Sequence, residues 1–419
     1  MSTITFIHTA DLHLDTPFKG LTRVDPDLAE TLKKATFQAF DHIVSACLEE
    51  AVDFLLIAGD IFDSETRSLG AQLKFFEGLR RLARANIPVY FAGGNHDPAG
   101  SWLRELELPE PVHQFSADGP GMVSFHKEGR RVVDVHGISF AERSVQDNLA
   151  TAFSRPADAA PLSIALLHGT IGAAGPHEQY SPFTEADIRD KGFDYWALGH
   201  IHQRQVIRPA DPAIVYPGNP QGRDFGECGR RGCYHVTLEP GRPPALRFIP
   251  TGPVVFETVT VDVTGASAPE QIKERVEAAC EQSSGAAGEA VGTMLRVRLE
   301  GRTPLHADLQ PSFLADLSDQ INGNGDGSGL RRVDRIERET LPAVDLAAAA
   351  RGDDFAGEVL RRLDHYLREP AGRAGMVEAL ADGFGGYPVR RELPPLTPTD
   401  QEAVLQQARR RLIDLLFTD

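Results

Sequence analysis

The feature that most constrains the fold is an alternation, within the first 250 residues, of short apolar runs and segments of helical periodicity. Residues 4–7, 54–57 and 89–91 are apolar runs of strand length. The two segments between them, residues 28–51 and 69–85, place apolar side chains at helical spacing. A strand–helix–strand–helix–strand order predicts parallel strands joined by crossover helices. We therefore expect an α/β protein.

Further apolar runs follow one another too closely for a helix to lie between each pair. They cover residues 132–135, 164–167, 195–198, 214–216 and 233–238. This spacing predicts two mixed sheets that pack face to face with helices outside. The expected architecture of residues 1–250 is a four-layer α/β/β/α sandwich.

The pattern changes after residue 250. Predicted strands at residues 256–263, 294–299 and 330–339 alternate with predicted helices at 269–282 and 309–321. We expect a small α/β cap domain over residues 251–345. Residues 346–419 are predicted to form a helical C-terminal region, with helices at 355–368 and 376–382 and a last helix that begins at the capping box Thr399–Glu402.

Composition excludes several classes of protein. With 43 basic and 60 acidic residues the net charge is −17, which argues against a general nucleic-acid binder. No stretch is long and apolar enough to span a bilayer, and the N-terminus lacks the pattern of a secretory signal. The four scattered cysteines predict no disulfide framework. We expect a cytoplasmic protein that does not contact a membrane.

Five short polar motifs stand at the ends of predicted strands. A single Asp-x-His or Gly-Asp is typical of a cap or a turn, but five such motifs at strand ends predict a multidentate metal site, because ligands bind beyond the carboxyl ends of strands in α/β sheets. The motifs are Asp11-Leu12-His13, Gly59-Asp60, Gly94-Asn95-His96-Asp97, His168-Gly169 and Gly199-His200-Ile201-His202.

The residue types in these motifs suit a pair of divalent cations. A carboxylate can bridge two cations, an Asn carbonyl adds a neutral oxygen, and imidazoles suit Mn, Fe and Zn better than Mg or Ca. Two cations about 3.5–4 Å apart can activate a water and stabilise an in-line displacement at phosphorus. The motifs therefore predict a dinuclear phosphoesterase centre.

The set of motifs resembles the calcineurin-like metallophosphoesterases. Within them it is similar to the SbcD-type nucleases of double-strand-break repair, especially their YhaO-like bacterial branch. Residues 6–14, 59–63 and 216–227 carry this resemblance, which is specific over residues 3–240 and only architectural beyond. Asp15 departs from the commoner pattern, which has Gly at this position.

The resemblance implies a role for each motif residue. His96 would be the catalytic histidine, and Asp97 would orient it by accepting a hydrogen bond. Asp60 would bridge the two cations. The first cation would be held by Asp11, His13, Asp60 and His202, and the second by Asp60, Asn95, His168 and His200.

By resemblance the chain is a metal-dependent DNA nuclease, acting as a 3′ to 5′ exonuclease and single-strand endonuclease. The cofactors would be two divalent ions, Mn by preference and Fe or Zn as alternatives. The resemblance also implies DNA, a homodimer and an SbcC-type coiled-coil ATPase as partners. Candidate contacts to the DNA backbone are Arg204, Arg223, Arg230, Arg231, Arg331 and Arg332, although acidic neighbours are also consistent with solvated ion pairs.

Two other functions remain open from the sequence. A nucleotidase, a cyclic-nucleotide phosphodiesterase or a protein phosphatase would use the same centre, and the net charge of −17 favours that alternative slightly. A non-catalytic DNA-end tether would keep the fold without the reaction. The sequence contains no Gly-x-x-x-x-Gly-Lys-Ser/Thr motif, so ATP hydrolysis would belong to the partner.

Overall fold

The computed structural model describes residues 3–16, 18, 26–63, 68–99, 107–172, 180–286, 292–323, 330–368, 375 and 398–417. The chain divides into two compact units. The first comprises residues 1–257, 284–294 and 327–334, and the second comprises residues 258–283, 295–326 and 335–419.

The first large sheet has six strands in the order β12-β11-β1-β2-β3-β4. Strands β1 to β4 are parallel, whereas β11 is antiparallel to both β1 and β12. The central strands are buried on both faces, which explains why they appear in the sequence as continuous apolar runs. The strands are β1 (Ile4–Thr9), β2 (Phe54–Ala58), β3 (Val89–Ala92), β4 (Val112–Gln114), β11 (Gly232–Leu238) and β12 (Ala245–Pro250).

The second large sheet also has six strands, in the order β5-β6-β7-β8-β10-β9. Strands β6, β7, β8 and β10 are parallel, and antiparallel strands flank them at both edges. The strands are β5 (Gly121–Lys127), β6 (Arg130–Gly137), β7 (Leu162–His168), β8 (Tyr195–Gly199), β9 (Gln205–Arg208) and β10 (Ala213–Tyr216).

A core of aromatic and branched side chains joins the two sheets. The ring of Phe6 stacks on Phe54 at 5.1 Å between centroids and meets Tyr195 of the opposite sheet edge-on at 5.4 Å. All three residues are completely buried, and each contributes on the order of 2 kcal/mol through the apolar surface that it removes from water.

Helices cover the outer faces of both sheets. Helices α1 (Pro26–Glu49) and α2 (Leu69–Arg84) pack on the first sheet. The second sheet is covered by a 3₁₀ turn, Leu149–Ala152, and the short helix α3 (Glu185–Arg189). The predicted α/β/β/α class is therefore confirmed, with one outer layer thinner than the other.

The C-terminal part of the chain contains a three-stranded sheet in the order β13-β14-β15. Its strands are β13 (Val254–Asp262), β14 (Gly292–Thr303) and β15 (Leu330–Pro342). The helices are α4 (Pro269–Ala286), α5 (Pro311–Gly323), α6 (Leu346–Ala349), α7 (Phe355–Arg368) and α8 (Pro398–Phe417). The helix predicted at 376–382 and the side chains of the predicted capping box lie outside the described residues. Among the described helices, none has the length and hydropathy needed to cross a bilayer.

Candidate metal centre

The seven predicted ligand residues meet where five parallel strands end. Asp11 and His13 follow β1, Asp60 follows β2, and Asn95 follows β3 in the first sheet. In the second sheet, His168 is the last residue of β7, while His200 and His202 follow β8. The donor atoms in each of three overlapping groups lie within 4.8 Å of one another: Asp11, His13 and His202; His13, Asp60 and His96; and Asp60, His168 and His200.

Backbone hydrogen bonds fix the loops that follow β1 and β2 side by side. The amide of Asp11 donates to the carbonyl of Gly59 at 3.1 Å, and the amide of His13 donates to the carbonyl of Asp60 at 3.0 Å. Leu14 continues the pairing through Ile61 at 2.9 Å. The parallel ladder thus extends past the strands, and it holds the candidate ligands of both loops in register.

Four candidate ligands have a left-handed backbone conformation. The φ angles of Asp11, His13, Asp60 and His200 are 52°, 41°, 50° and 98°. This conformation costs an L residue on the order of 1–3 kcal/mol, and such strain is concentrated at functional sites. Surrounding hydrogen bonds maintain it here, since the carboxylate of Asp11 accepts the amide of His200 at 2.9 Å.

A glycine allows the loop after β3 to approach the centre. A Cβ atom added to Gly94 would lie 2.2 Å from Oδ1 of Asp60 and 2.9 Å from Nε2 of His168. Neither contact is possible between real atoms. A side chain at this position would therefore displace two candidate ligands.

The hydrogen bonds of His168 leave one ring nitrogen directed at the centre. Its Nδ1 donates to the carbonyl of Ala58 at 2.9 Å, and its Nε2 lies 3.0 Å from Oδ1 of Asn95 and 3.4 Å from Oδ2 of Asp60. Burial lowers the pKa of His168, but the carboxylates of Asp60 and Asp11 outweigh burial and raise this pKa to about 9. The position attracts positive charge, as a cation site requires.

His13 and His202 face each other through their Nε2 atoms, which are 3.1 Å apart. Nδ1 of His202 lies 2.7 Å from Oε1 of Glu227, whereas Nδ1 of His13 is buried without a hydrogen-bond partner within the described ranges. Burial lowers the pKa of His13 well below its usual value, and the positive charge of Arg223 lowers it further. A neutral imidazole at this position is the form that binds a metal ion.

Two buried carboxylates complete the donor set. Burial opposes ionisation of Asp60, but His168 and His13 hold its pKa well below the usual range. Burial raises the pKa of Asp11. Since buried charges require partners, these carboxylates, together with imidazole nitrogens and an amide oxygen, fit divalent cations of the Mn, Fe and Zn group.

The carboxylate of Asp97 links two of the loops that carry candidate ligands. Its buried carboxylate accepts hydrogen bonds from the backbone amides of Gly94 and Ile61, both at 2.8 Å. It therefore ties the loop that carries Asn95 to the loop that carries Asp60. The carboxylate of Asp63 also faces the centre, with its Oδ1 at 3.8 Å from Nδ1 of His96.

Sequence reasoning missed two functional candidates, Asp63 and Glu227. Asp63 is 8% exposed and accepts a hydrogen bond from Oγ1 of Thr16 at 3.1 Å. Glu227 contacts His202 directly. Each of the two is the last residue of a stretch that carries the family resemblance, 59–63 or 216–227. Their place in these stretches was the sequence signal that could have identified them.

The predicted DNA-contacting arginines differ in exposure. Arg231 is 6% exposed, and its guanidinium donates to the carbonyl of His202 and to Oδ1 of Asn219, so it supports the loop and leaves little surface for a phosphate. Arg223 is half-buried and paired with Glu227. Arg204 and Arg230 are exposed, and Arg331 and Arg332 are half-buried on β15.

Comparison with known proteins finds metallophosphoesterases, in agreement with the fold and the candidate metal centre. Residues 4–204 match the calcineurin-like phosphoesterase model, and residues 256–341 match the middle domain of metallophosphoesterase YhaO. The uncharacterized metallophosphoesterase YhaO of Bacillus subtilis (strain 168) is 43% identical over 266 residues, which cover 64% of this chain and 65% of that protein.

More distant relatives are named as nucleases and repair proteins. The DNA double-strand break repair protein Mre11 of Methanopyrus kandleri is 27% identical and covers 64% of this chain and 61% of its own length. The SbcD component of the nuclease SbcCD of Bacillus subtilis is 25% identical, and the match covers 53% of this chain and 63% of that protein. The chain thus spans just under two thirds of these relatives.

The solved structures include TT1561 of Thermus thermophilus, which is 14% identical and aligns to 59% of this chain and 99% of its own, with a TM-score of 0.35. That score is too low to define the fold. The matched models and the 43% identity to YhaO do define the family. The chain has a calcineurin-like metallophosphoesterase domain and belongs to the YhaO-like family.

Proposed function

We propose that this chain is a metal-dependent phosphodiesterase that cleaves DNA in double-strand-break repair. The observation that carries the proposal is the convergence of two buried carboxylates, one amide oxygen and four imidazoles at the ends of five strands. The relatives named as Mre11 and as a component of the nuclease SbcCD support DNA as the substrate.

We assign the first cation to Asp11, His13, Asp60 and His202, and the second to Asp60, Asn95, His168 and His200. Asp60 is shared because its carboxylate faces both groups of ligands: Oδ2 lies 3.8 Å from His13 and 3.4 Å from His168. Manganese is the preferred metal, with iron and zinc as alternatives. When bound, the two cations supply an activated water and stabilise charge that develops at phosphorus.

His96 is the proposed proton donor to the leaving oxygen. Its side chain is 32% exposed, and its ring meets that of His13 edge-on at 5.0 Å. Burial lowers the pKa of His96, but Asp63 and Asp60 raise it above the usual value overall. The imidazole can therefore hold a proton beside the substrate and release it as the phosphodiester bond breaks.

The wider assembly is also part of the proposal. Exposed Arg204 and Arg230 are candidates for contacts to the DNA backbone. Residues 251–345 would act as a DNA-positioning cap, and residues 346–419 as a helical tail. A homodimer and an SbcC-type ATPase are the proposed partners, in the cytoplasm.

Hydrolysis of small phosphoesters is the second candidate function. The net charge of −17 favours it, because a strongly acidic chain repels a polyanion more than a small ester. The same centre would serve a nucleotidase, a cyclic-nucleotide phosphodiesterase or a protein phosphatase.

The two candidates separate in one assay. The purified chain is incubated with Mn²⁺ and end-labelled duplex DNA, single-stranded DNA or bis(p-nitrophenyl) phosphate. We expect cleavage of both DNA substrates, abolished in Asp60→Asn and retained in Asp41→Asn, which alters a surface ion pair with Lys74. Cleavage of the small ester alone would refute DNA as the substrate.

A further inference from the structure

The segment that follows β10 wraps around His202 and places Glu227 against it. Resting on the proposed function, we propose that Glu227 is a positioning residue: it selects the one neutral form of His202 whose Nε2 can bind a cation. A neutral imidazole carries its proton on either Nδ1 or Nε2, and the nitrogen that carries the proton cannot coordinate a metal ion.

Glu227 is held rigidly in place. Its Oε1 lies 2.7 Å from Nδ1 of His202 and accepts Nη2 of Arg223 at 2.8 Å. Its Oε2 accepts Nδ2 of Asn219 and the backbone amide of Arg223, both at 2.8 Å. Even without His202, this carboxylate receives three donors, and an ionised carboxylate is an acceptor only.

Other neighbours of His202 favour the opposite proton position. Nη2 of Arg223 lies 2.9 Å from Nδ1, where it can donate to an unprotonated nitrogen. On the other side of the ring, Nε2 of His13 lies 3.1 Å from Nε2 of His202, where it can accept a proton from it. A proton on Nε2 of His202 would use the lone pair of that nitrogen. Its hydrogen bond to His13 would engage the lone pair of Nε2 of His13 as well, so neither Nε2 could bind the first cation.

Glu227 decides between the two forms because a guanidinium has no acceptor. Oε1 of Glu227 therefore receives the proton of Nδ1, and this contact is shorter than the contact between Arg223 and the same nitrogen. Nε2 of His202 then carries a lone pair directed at His13. A carboxylate behind a metal-binding imidazole acts in this way in many metal sites.

The backbone around His202 supports this arrangement. Arg231 donates to the carbonyl of His202 and to Oδ1 of Asn219, so the residue that anchors Glu227 is linked to the ligand loop. A Cβ atom on Gly218 would lie 2.5 Å from the carbonyl oxygen of His202. The backbone of His202 is therefore held beside the segment that carries Glu227.

The proton position is measured directly by NMR of the metal-free wild-type protein. Histidine labelled with ¹⁵N is recorded at alkaline pH, and the His202 resonances are assigned by their loss in His202→Gln. We expect a protonated Nδ1 and an unprotonated Nε2 at His202. A protonated Nε2 would overturn the inference, and this measurement depends on no Glu227 variant.

Metal binding tests the consequence. Mn²⁺ is titrated into wild type, Glu227→Gln and the control Glu50→Gln by electron paramagnetic resonance. Glu50→Gln removes a carboxylate paired with Arg247 at 2.8 Å and touches no candidate ligand. We expect one of two Mn²⁺ ions to bind about 10–100-fold more weakly in Glu227→Gln, and both to bind normally in the control.

The outcomes distinguish the inference from the proposed function. One result is that wild type binds two Mn²⁺ ions and cleaves DNA while Glu227→Gln binds both ions with wild-type affinity. That result would refute the role of Glu227 and leave the proposed function intact. Absence of Mn²⁺, Fe²⁺ and Zn²⁺ binding in wild type would refute the proposed function, and the NMR result would still decide the proton position. If Glu227→Gln does not fold, the NMR result alone decides.

Discussion

The convergence of Asp11, His13, Asp60 and His202 was predictable from sequence because each residue stands shortly after an apolar run. The sequence does not predict the hydrogen-bond partner of each side chain. Asp97, which is predicted to orient His96, accepts the amides of Gly94 and Ile61, and the sequence did not indicate these two contacts. The contact with Ile61 joins loops that lie more than 30 residues apart, so it follows from the packing of the strands and not from local spacing.

The first prediction separates catalysis from metal binding at His96. Removing the imidazole in His96→Ala deletes the proton donor, so we expect DNA cleavage to slow by about 10²–10⁴-fold. Mn²⁺ affinity should stay close to that of wild type, because His96 is not an assigned ligand. The exposed His126, substituted as His126→Ala, is the control. Cleavage at the wild-type rate in His96→Ala would contradict the assigned role.

A second prediction concerns a structural carboxylate, Asp134. It is fully buried and accepts hydrogen bonds from Arg131, Ser124 and the amide of Ala160 at 2.7–2.8 Å. Burial raises the pKa of Asp134, but these donors lower it below the usual value overall. We expect Asp134→Asn to lower the free energy of unfolding by about 2 kcal/mol at neutral pH, since it weakens the hydrogen bonds of a buried carboxylate.

The pH dependence of that difference checks its cause. The folded pKa of Asp134 lies below the unfolded one, so its stabilisation is complete above about pH 4 and is lost as the pH falls through the folded pKa. Urea denaturation of wild type and Asp134→Asn should therefore converge in acid. A difference that stays constant down to about pH 2 would show that shape, and not charge, is responsible.

Among the elements, the buried central strands were predicted within a few residues, and the two sheets and their parallel pairs followed from them. The strands that the sequence did not reveal were β4, β5, β9 and β12, which are the edge strands of the two large sheets. None of these four contains a buried residue. A signal based on apolar runs detects strands covered on both faces, so it misses those at an edge.

A third prediction concerns the loop after β3. We expect Gly94→Ala to weaken Mn²⁺ binding at least about 10-fold, because the new Cβ would lie 2.2 Å from Oδ1 of Asp60. Gly70→Ala in α2 is the matched control, since its Cβ would meet Oγ of Ser68 at 3.6 Å, an ordinary contact. That change should stabilise the helix by up to about 1 kcal/mol. Equal Mn²⁺ affinities in both variants would mean that the loop is not packed against the centre.

At the scale of the whole molecule, the net charge of −17 and a DNA substrate are compatible. Two of the acidic residues, Asp11 and Asp60, are proposed to face cations and not DNA, and two bound divalent ions add four positive charges at the centre. Of the 43 basic residues, 36 are arginines, whose planar fork suits phosphate oxygens. The total charge therefore does not exclude a DNA substrate.

The total charge does limit affinity, which gives a fourth prediction. We expect the isolated, metal-free chain to bind DNA weakly, with a dissociation constant of about 10⁻⁶ M or weaker at physiological salt, the range of nonspecific contacts. A partner protein would supply the remaining affinity. Fluorescence anisotropy with a labelled duplex measures this. Nanomolar binding by the isolated chain would contradict the prediction.

The central claim is that one shared carboxylate, Asp60, joins two cations into a phosphodiesterase centre, and the stoichiometry of bound metal tests it most directly. After chelator treatment and reconstitution with Mn²⁺, plasma mass spectrometry should find two Mn²⁺ ions per wild-type chain and at most one in Asp60→Asn, with loss of DNA cleavage. Two tightly bound ions and undiminished cleavage in Asp60→Asn would contradict the account.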